Sequence, residues 1–218
     1  MSILTRRFGF LVAAAALLAF PGAAFGAASQ GEISYLEGSV TIDAAPASIG
    51  DLVPFGATVR TDKDSYCEIT FRERNVIHLG ELTSLVFNPG NLQVGSVLQQ
   101  GSLALVLKNF VKGGTGDMSF FVRTPTATAG VRGTSFFMKV EDPTTTYVCL
   151  CNGVLRLDDG TLVTGIDIEA AHHASYRVTD KGGSVSIDKA PMLYHTDQDM
   201  ETLAGKIGYT IDWTRVDR

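Results

Sequence analysis

Short apolar runs that alternate with polar residues dominate the chain from Glu32 to Val140. In one of them Cys67, Ile69 and Phe71 are separated by single polar residues, so an extended backbone would place all three on one face. Glycine, asparagine and proline separate the runs, as they separate strands in β-proteins. This period of two residues predicts an all-β fold for the region.

The same pattern continues after Asp142. Candidate strands cover residues 145–150, 154–157, 161–163, 166–168 and 174–178. Asn152-Gly153 and Asp158-Asp159-Gly160 are typical of hairpin turns, because Asn-Gly and Asp-Gly favour positive φ. Residues 142–190 are therefore predicted to form a β-extension.

The C-terminal segment, residues 191–218, has a different pattern. Thr196 and Asp199 have the spacing of a helix capping box, and Gly208 supplies a stop. Between them apolar residues recur at helical spacing: Met200, Leu203, Ala204 and Ile207. The sequence predicts one short amphipathic helix that packs its apolar stripe on the β-body.

The N-terminus has the features of a secretory signal peptide. Arg6 and Arg7 precede a mostly apolar stretch, residues 8–20, and small residues surround candidate cleavage sites after Gly26 and Ala28. A membrane-spanning helix needs about 20 apolar residues, more than this stretch offers. Residues 1–28 are predicted to be a signal peptide, with an uncleaved anchor as the alternative. We expect a periplasmic or secreted protein of a Gram-negative cell envelope, with no membrane span after cleavage.

Charge argues against two classes of partner. The chain has 18 basic and 23 acidic residues, for a net charge of −5. Loss of Arg6 and Arg7 with the signal peptide would leave 16 basic residues and a net charge of −7. Nucleic-acid binding needs a basic surface, and binding to anionic lipid needs a polybasic patch. Neither partner is expected.

The most specific motif lies in residues 124–137, Thr-Pro-Thr-Ala-Thr-Ala-Gly-Val-Arg-Gly-Thr-Ser-Phe-Phe. Two β-type runs flank a turn predicted at Gly130 to Gly133. We interpret Arg132 as a structural cation that ties carbonyls or a carboxylate together, with an anion or partner contact as the alternative. The motif positions are Thr124, Pro125, Val131, Arg132, Gly133 and Thr134.

This motif resembles the signature of FecR-type domains, which are β-modules of the cell envelope. Other elements follow the order of that family: Gly38-Ser39-Val40, Gly50–Pro54, Thr61–Ser65, Glu68–Phe71, Gly80–Leu85 and Gln100–Leu103. The resemblance covers residues 31–141. It implies an all-β stack of short strands, solenoid-like or sandwich-like, that acts as a binding or sensing module and not as an enzyme. The implied partner is an envelope protein, a glycan or a small ligand.

One departure from the family matters. Iron-responsive FecR regulators join an anti-sigma segment to this module through a membrane helix. Neither a cytoplasmic segment nor a spanning helix is expected here, so the resemblance does not imply transmembrane control of a sigma factor.

Cys149 and Cys151 suggest a metal site. Residues i and i+2 of a strand project to the same face, so both sulfurs would point one way. Thiolate and imidazole suit zinc or copper(I), and a Cys₂His₂ set completes a tetrahedron. The predicted ligands are Cys149, Cys151, His173 and His195, with His172 as a substitute.

The sequence leaves alternatives to this site open. Cys149 and Cys151 could be core residues, because buried cysteine behaves as a small hydrophobe. Cys67 could instead form a disulfide with one of them, and the odd count of three cysteines would leave one thiol over. A metal-binding or metal-sensing protein is thus the main alternative to a plain periplasmic binding or scaffold module.

An enzyme is not expected. A Cys-His hydrolase or redox centre would need a cleft that exposes one thiol of lowered pKa. The sequence contains no Gly-x-Ser-x-Gly, no His-Glu-x-x-His and no phosphate-binding loop of the Walker type.

Overall fold

The computed structural model describes residues 30–72, 74–89, 94–108, 120–159 and 165–217. The predicted signal peptide, residues 1–28, and the candidate strand 161–163 lie outside these ranges. The first part of the described chain forms nine strands: β1 (Gln30–Glu37), β2 (Val40–Ile42), β3 (Ala45–Pro46), β4 (Leu52–Pro54), β5 (Ala57–Thr61), β6 (Tyr66–Phe71), β7 (Asn75–Leu79), β8 (Ser84–Phe87) and β9 (Ser96–Leu107). The second part forms six strands and a helix: β10 (Phe120–Arg123), β11 (Thr128–Asp142), β12 (Thr145–Asp158), β13 (Gly165–Ala170), β14 (Ala174–Asp180), β15 (Val185–Ala190) and α1 (Asp197–Gly205).

The strands form one hydrogen-bonded sheet that is folded into two layers, and five strands within it close into a barrel. Long strands connect the layers. The first half of β9 pairs with β8, and its second half pairs with β7 and β11. Likewise β12 pairs with β14 through residues 145–150 and with β13 through residues 153–158. Among the described strands only β9 and β10 pair in parallel, which is the pattern of a folded antiparallel sheet and not of a solenoid.

The predicted turns at Gly130–Gly133 and at Asn152-Gly153 are wrong. The first segment lies inside β11 and the second inside β12. Gly133 and Gly153 do take positive φ, 56° and 123°, close to where the register between β11 and β12 shifts. The positive φ of these two glycines therefore forms a β-bulge and not a turn. The bulge bends the two long strands from one layer to the other.

Apolar side chains fill two clusters. The main core lies between the layers and includes Cys67, Ile69 and Phe71, which share a face as predicted. The second cluster covers the outer face of the layer that contains β7, β9, β11 and β12. Helix α1 and the segments before and after it pack on this second cluster.

Helix α1 begins where the sequence predicted but ends at Gly205, before the predicted stop at Gly208. Thr196 is its N-cap, and reciprocal bonds between Thr196 and Asp199 form the predicted capping box, which typically contributes about 1 kcal/mol. The helix buries Met200, Leu203 and Ala204 in the second cluster, so its apolar stripe belongs to the core. No helix in the described ranges is long and apolar enough to cross a membrane.

Candidate metal centre

Four side chains that are distant in sequence converge on the outer face of the sheet. Cys149 and Cys151 lie on β12, His173 lies in the turn between β13 and β14, and His195 directly precedes the N-cap of α1. One donor atom from each residue lies within 4.8 Å of the donor atoms of the other three. We call these four residues the Cys/His centre. These are the four predicted ligands. His173, and not the alternative His172, is the member of the adjacent histidine pair that belongs to the centre.

The two sulfurs share a face because β12 is extended through this stretch. Val148 and Leu150 point into the main core, whereas Cys149 and Cys151 point to the second cluster. Both cysteines are fully buried, with 0% of their surface exposed. The strand thus aims both sulfurs at the segment that carries the histidines.

The distances between sulfur and nitrogen suit a shared metal ion. Cys149 Sγ lies 3.3 Å from His173 Nδ1, and Cys151 Sγ lies 3.3 Å from His195 Nε2. Zinc bonds of about 2.3 Å to sulfur and about 2.0–2.1 Å to nitrogen separate two tetrahedral ligands by about 3.6 Å. Each of these two sulfur–nitrogen pairs is therefore close to tetrahedral spacing, and all four donor atoms lie within 4.8 Å of one another. The same distances also fit direct hydrogen bonds between sulfur and nitrogen, the metal-free arrangement of these groups.

The outer nitrogen of each imidazole already has an acceptor. His173 Nε2 lies 2.6 Å from Asp197 Oδ1, and His195 Nδ1 lies 2.9 Å from the carbonyl oxygen of Leu193. A neutral imidazole that donates through its outer nitrogen presents a lone pair on the inner one. Metal-binding histidines almost always have such an outer acceptor, often a carboxylate or a backbone carbonyl.

Backbone strain and aromatic packing fix both imidazoles. His173 itself and Tyr194, the neighbour of His195, have positive φ of 37° and 69°. Such backbone costs about 1–2 kcal/mol in a non-glycine residue and tends to occur at functional sites. The ring of His195 stacks on Phe137 at 4.7 Å, and the ring of His173 stacks on Trp213 at 5.3 Å.

The two thiols differ in acidity. The hydrogen bond from Cys151, together with smaller contributions from His173 and His195, lowers the pKa of Cys149 to about 3 against the effect of burial. Burial raises the pKa of Cys151 far above its usual range. Burial opposes protonation of His173, but its hydrogen bonds to Cys149 and Asp197 raise its pKa overall. These shifts favour the thiolate at Cys149, the thiol at Cys151 and a proton on His173 when no metal is bound.

His172 lies at the rim of the centre. Its Nε2 is 3.0 Å from Asp197 Oδ2, and half of its side chain is exposed. Asp197 therefore contacts both adjacent histidines through its two oxygens. Asp197 and Trp213 were not predicted. Asp197 could have been suspected, because a carboxylate two residues after His195 in a His-Thr-Asp sequence can reach the same site.

Asn152 holds the C-terminal segment beside the centre. Its Nδ2 lies 2.8, 3.1 and 2.9 Å from the carbonyl oxygens of Ala171, Asp212 and Arg215. Its Oδ1 accepts a hydrogen bond of 3.0 Å from the backbone N–H of Asp217. This buried amide attaches residues 191–217, which we call the C-terminal arm, to β12.

The other predicted chemistries find less support in this geometry. Cys149, His173 and Asp197 follow one another as nucleophile, base and orienting carboxylate would. Full burial of the thiol, however, leaves no surface for a substrate to approach. All three cysteines are free, and Cys67 lies in the main core while the other two lie in the second cluster.

None of the described motif residues belongs to the Cys/His centre. Thr124 Oγ1 accepts a hydrogen bond of 3.0 Å from Ala127 N–H, and exposed Pro125 lies in the bend between the strands. Val131 is buried, and Thr134 Oγ1 donates to the carbonyl oxygen of Val154 at 2.8 Å. The backbone of Arg132 belongs to β11, but its side chain lies outside the described part, so its role stays a prediction.

Comparison with protein families identifies the β-domain. The family model described as FecR protein matches residues 57–156. The chain contains a FecR domain. The FecR match includes Cys149 and Cys151, whereas His173 and His195 follow it. The Cys/His centre thus joins the FecR domain to the part of the chain behind it.

Two solved structures align with the chain. Both are crystal structures, at 1.65 and 2.50 Å resolution, of a candidate anti-sigma factor from Parabacteroides distasonis ATCC 8503. Their sequence identities to this chain are 16% and 17%, and both have a TM-score of 0.46. Each alignment covers 61% of this chain and 59% of that chain, so the chain spans about three-fifths of the length of these proteins. No curated protein matches the chain.

Proposed function

We propose that this protein is an exported FecR-domain module that acts by binding in the periplasm, and that one zinc ion in the Cys/His centre fixes its C-terminal arm. The observation that carries the proposal is the convergence of two cysteines from the FecR domain with two histidines that follow it. The predicted signal peptide, the FecR domain and the absence of catalytic motifs from the sequence support export and a scaffold or sensing role.

Zinc is the ion that fits the donor set best. Two thiolates and two imidazoles are a typical zinc ligand set, whereas copper(I) favours sites of softer, sulfur-rich character. Four protein ligands close the coordination sphere, which is the property of structural and not of catalytic zinc sites. Zinc binding would displace the proton of Cys151 and any proton on His173.

The burial of both thiols supports a structural role for the centre and a binding role for the surface of the β-domain. Its thiols are fully buried, so the centre itself offers no cleft for a substrate. The FecR domain instead presents its surface to a partner, and an envelope protein, a glycan or a small ligand are the partner classes in question. The centre serves this role by holding the arm in place against the domain.

Metal sensing is the second candidate. The ligands come from two parts of the chain, so loss of the ion would leave the arm attached by fewer contacts and could report metal supply. A structural site would retain its zinc through purification, whereas a sensor would exchange it at the concentrations it reports. The affinity of the centre therefore separates the two candidates.

The test is the metal content of the mature protein purified from a periplasm, measured by elemental mass spectrometry. We expect about one zinc per chain in the unmutated protein and in Cys67→Ala, which removes a thiol from the main core. The double variant Cys149→Ala/Cys151→Ala should lose the zinc. Metal absent from all three proteins would overturn the zinc proposal, and a count of one free thiol instead of three would indicate a disulfide.

A further inference from the structure

A cavity of about 450 Å³ lies between the sheet of the FecR domain and the C-terminal arm. Residues of β6, β7, β9 and β11 line one side, and residues of the arm, including α1, line the other. Its volume falls within the range of small-molecule pockets, about 300–1,000 Å³. His195 belongs to its wall, whereas Cys149 and Cys151 do not. The cavity is thus a separate site that exists only while the arm is docked.

Glu68 places a mostly buried carboxylate in this cavity. Only 9% of its side chain is exposed, and its carboxylate accepts no hydrogen bond from the described residues. The nearest cationic nitrogens are Lys206 Nζ at 3.6 Å and, when protonated, His78 Nδ1 at 3.8 Å. Both distances exceed hydrogen-bonding range, and a buried carboxylate without hydrogen bonds is costly. A cationic donor in the cavity would remove that cost.

The walls of the cavity favour a flat cation. Tyr66 and His78 stack at 6.0 Å with 22° between their rings, and Phe137 and His195 stack at 4.7 Å with 13°. Tyr194 adds a further ring. Guanidinium stacks on aromatic faces and bonds a carboxylate with two parallel N–H groups, which a compact ammonium cannot do.

The charge of the other lining residues agrees with a cationic ligand. Glu81 and Asp199 add two carboxylates to that of Glu68, against one lining lysine, Lys139. Glu81 already accepts a bond from Asp64 N–H, and Asp199 caps α1. These two carboxylates therefore make the electrostatic potential of the cavity negative, and Glu68 is the carboxylate that would contact a cationic ligand directly.

We propose that this cavity binds a guanidinium group, with Glu68 as its anionic partner. The group would come from an arginine side chain of a partner polypeptide or from a free guanidinium compound. The inference rests on the proposed function in one respect, because the arm that forms one wall is the element that the Cys/His centre holds.

The test is a titration of the zinc-loaded mature protein, followed by NMR shifts and calorimetry. The probes are the peptide acetyl-Gly-Ala-Arg-Ala-Gly-amide, its citrulline counterpart, which is neutral and of the same shape, and methylguanidinium chloride. We expect saturable binding of the arginine peptide and at least about tenfold weaker binding of the citrulline peptide, since hydrogen bonds to charged groups contribute about 1.5–3 kcal/mol. Tighter binding of the peptide than of methylguanidinium would assign the site to a polypeptide partner, and equal affinities would assign it to a free compound.

Three variants make the result specific to Glu68. Glu68→Gln should weaken arginine-peptide binding at least about tenfold, whereas Glu32→Gln, the same change at an exposed residue outside the cavity, should not. Thr202→Lys places a cation at an exposed residue of α1 that lines the cavity, and it should weaken binding by repelling the guanidinium group. This variant leaves Glu68 in place, so the test does not depend on whether Glu68→Gln folds.

The zinc content of each variant separates the two proposals. Glu68→Gln and Thr202→Lys should keep their zinc, because neither residue belongs to the Cys/His centre. Equal binding of arginine and citrulline peptides, absence of saturable binding, or an unchanged affinity in Glu68→Gln would overturn the guanidinium site and leave the zinc proposal intact. If the protein contains no zinc but still binds arginine through Glu68, the zinc proposal alone fails.

Discussion

Cys151 Sγ lies 3.3 Å from His195 Nε2, although 44 residues separate them in the chain. The second pair of the centre, Cys149 and His173, joins residues that are 24 apart. A metal ion shared by all four would close both loops at once and attach the arm to β12. Because the metal would bind the folded chain far better than the unfolded one, its binding free energy would add to the stability of this region.

The two adjacent histidines should differ in their effect on metal binding. His173 points Nδ1 at Cys149, whereas His172 contacts Asp197 at the rim. His173→Ala should therefore lower zinc affinity by orders of magnitude, and His172→Ala should change it little. Competition with a chromophoric chelator measures both affinities. Equal losses in the two variants would show that the inner site is assigned to the wrong histidine.

Asp197 should support the metal without binding it. Its hydrogen bond to His173 Nε2 orients the imidazole, and loss of such an outer acceptor typically costs about 10–100-fold in metal affinity. Asp199→Ala is the matched control, because it removes a carboxylate from the same helical turn. That control should cost about 1 kcal/mol in the free energy of unfolding through the lost capping box, and leave zinc affinity unchanged. Equal zinc affinity in both variants would argue against a role for Asp197.

Stability should depend on the charge of Glu141. Arg177 bonds its two oxygens at 2.7 and 2.8 Å, and the Tyr194 hydroxyl, beside His195, donates to it at 2.6 Å. The Arg177 hydrogen bonds lower the pKa of Glu141, although its burial acts in the opposite direction. Because the pKa is lower in the folded state, ionised Glu141 stabilises the protein at pH values above the usual glutamate pKa, about 4.3. This contribution is lost as the pH falls through the lowered pKa of the folded state.

Glu141→Gln should therefore reduce the free energy of unfolding by about 1 kcal/mol at pH 7, and the difference from the unmutated protein should shrink below about pH 4. Urea unfolding at a series of pH values measures this. Asp188→Asn, a charge removal at an exposed site on β15, is the control and should have little effect at any of them. A Glu141→Gln difference that does not shrink at all as the pH falls below about 4 would exclude the ionic explanation.

Gly153 should tolerate no side chain. Its φ is 123°, and a Cβ atom there would lie 2.9 Å from Thr134 Oγ1 and 3.0 Å from the carbonyl oxygen of Gly133. Gly153→Ala should destabilise the protein by about 1–3 kcal/mol, measured by urea unfolding. Gly182→Ala tests strain without contact, since φ is also positive but a Cβ atom meets nothing within 4 Å. A smaller loss at Gly153 than at Gly182 would contradict the close packing of the bulge.

Local patterns predicted the elements whose structure depends on neighbours in sequence. The alternation of Cys67, Ile69 and Phe71 predicted the extended backbone of β6, and the capping box at Thr196 predicted the start of α1. The spacing of Cys149 and Cys151 correctly implied that both sulfurs share a face, because that follows from any extended backbone.

Features that depend on contacts between distant segments could not be predicted from the sequence. Positive-φ glycines serve turns and bulges equally, so Gly153 could not reveal that β12 continues through it. The choice between His172 and His173 depends on the strained turn before β14, and the role of Trp213 depends on where the arm folds back. These are set by tertiary packing, for which a single sequence carries no periodic signal.

The most direct test of the central claim is X-ray absorption spectroscopy at the zinc edge of the purified, zinc-loaded protein. The Cys/His centre predicts two sulfur ligands at about 2.3 Å and two nitrogen ligands at about 2.0–2.1 Å, with sulfur scattering lost in Cys149→Ala/Cys151→Ala. A shell made only of nitrogen and oxygen, or a spectrum that the double variant leaves unchanged, would place the zinc elsewhere and contradict the account.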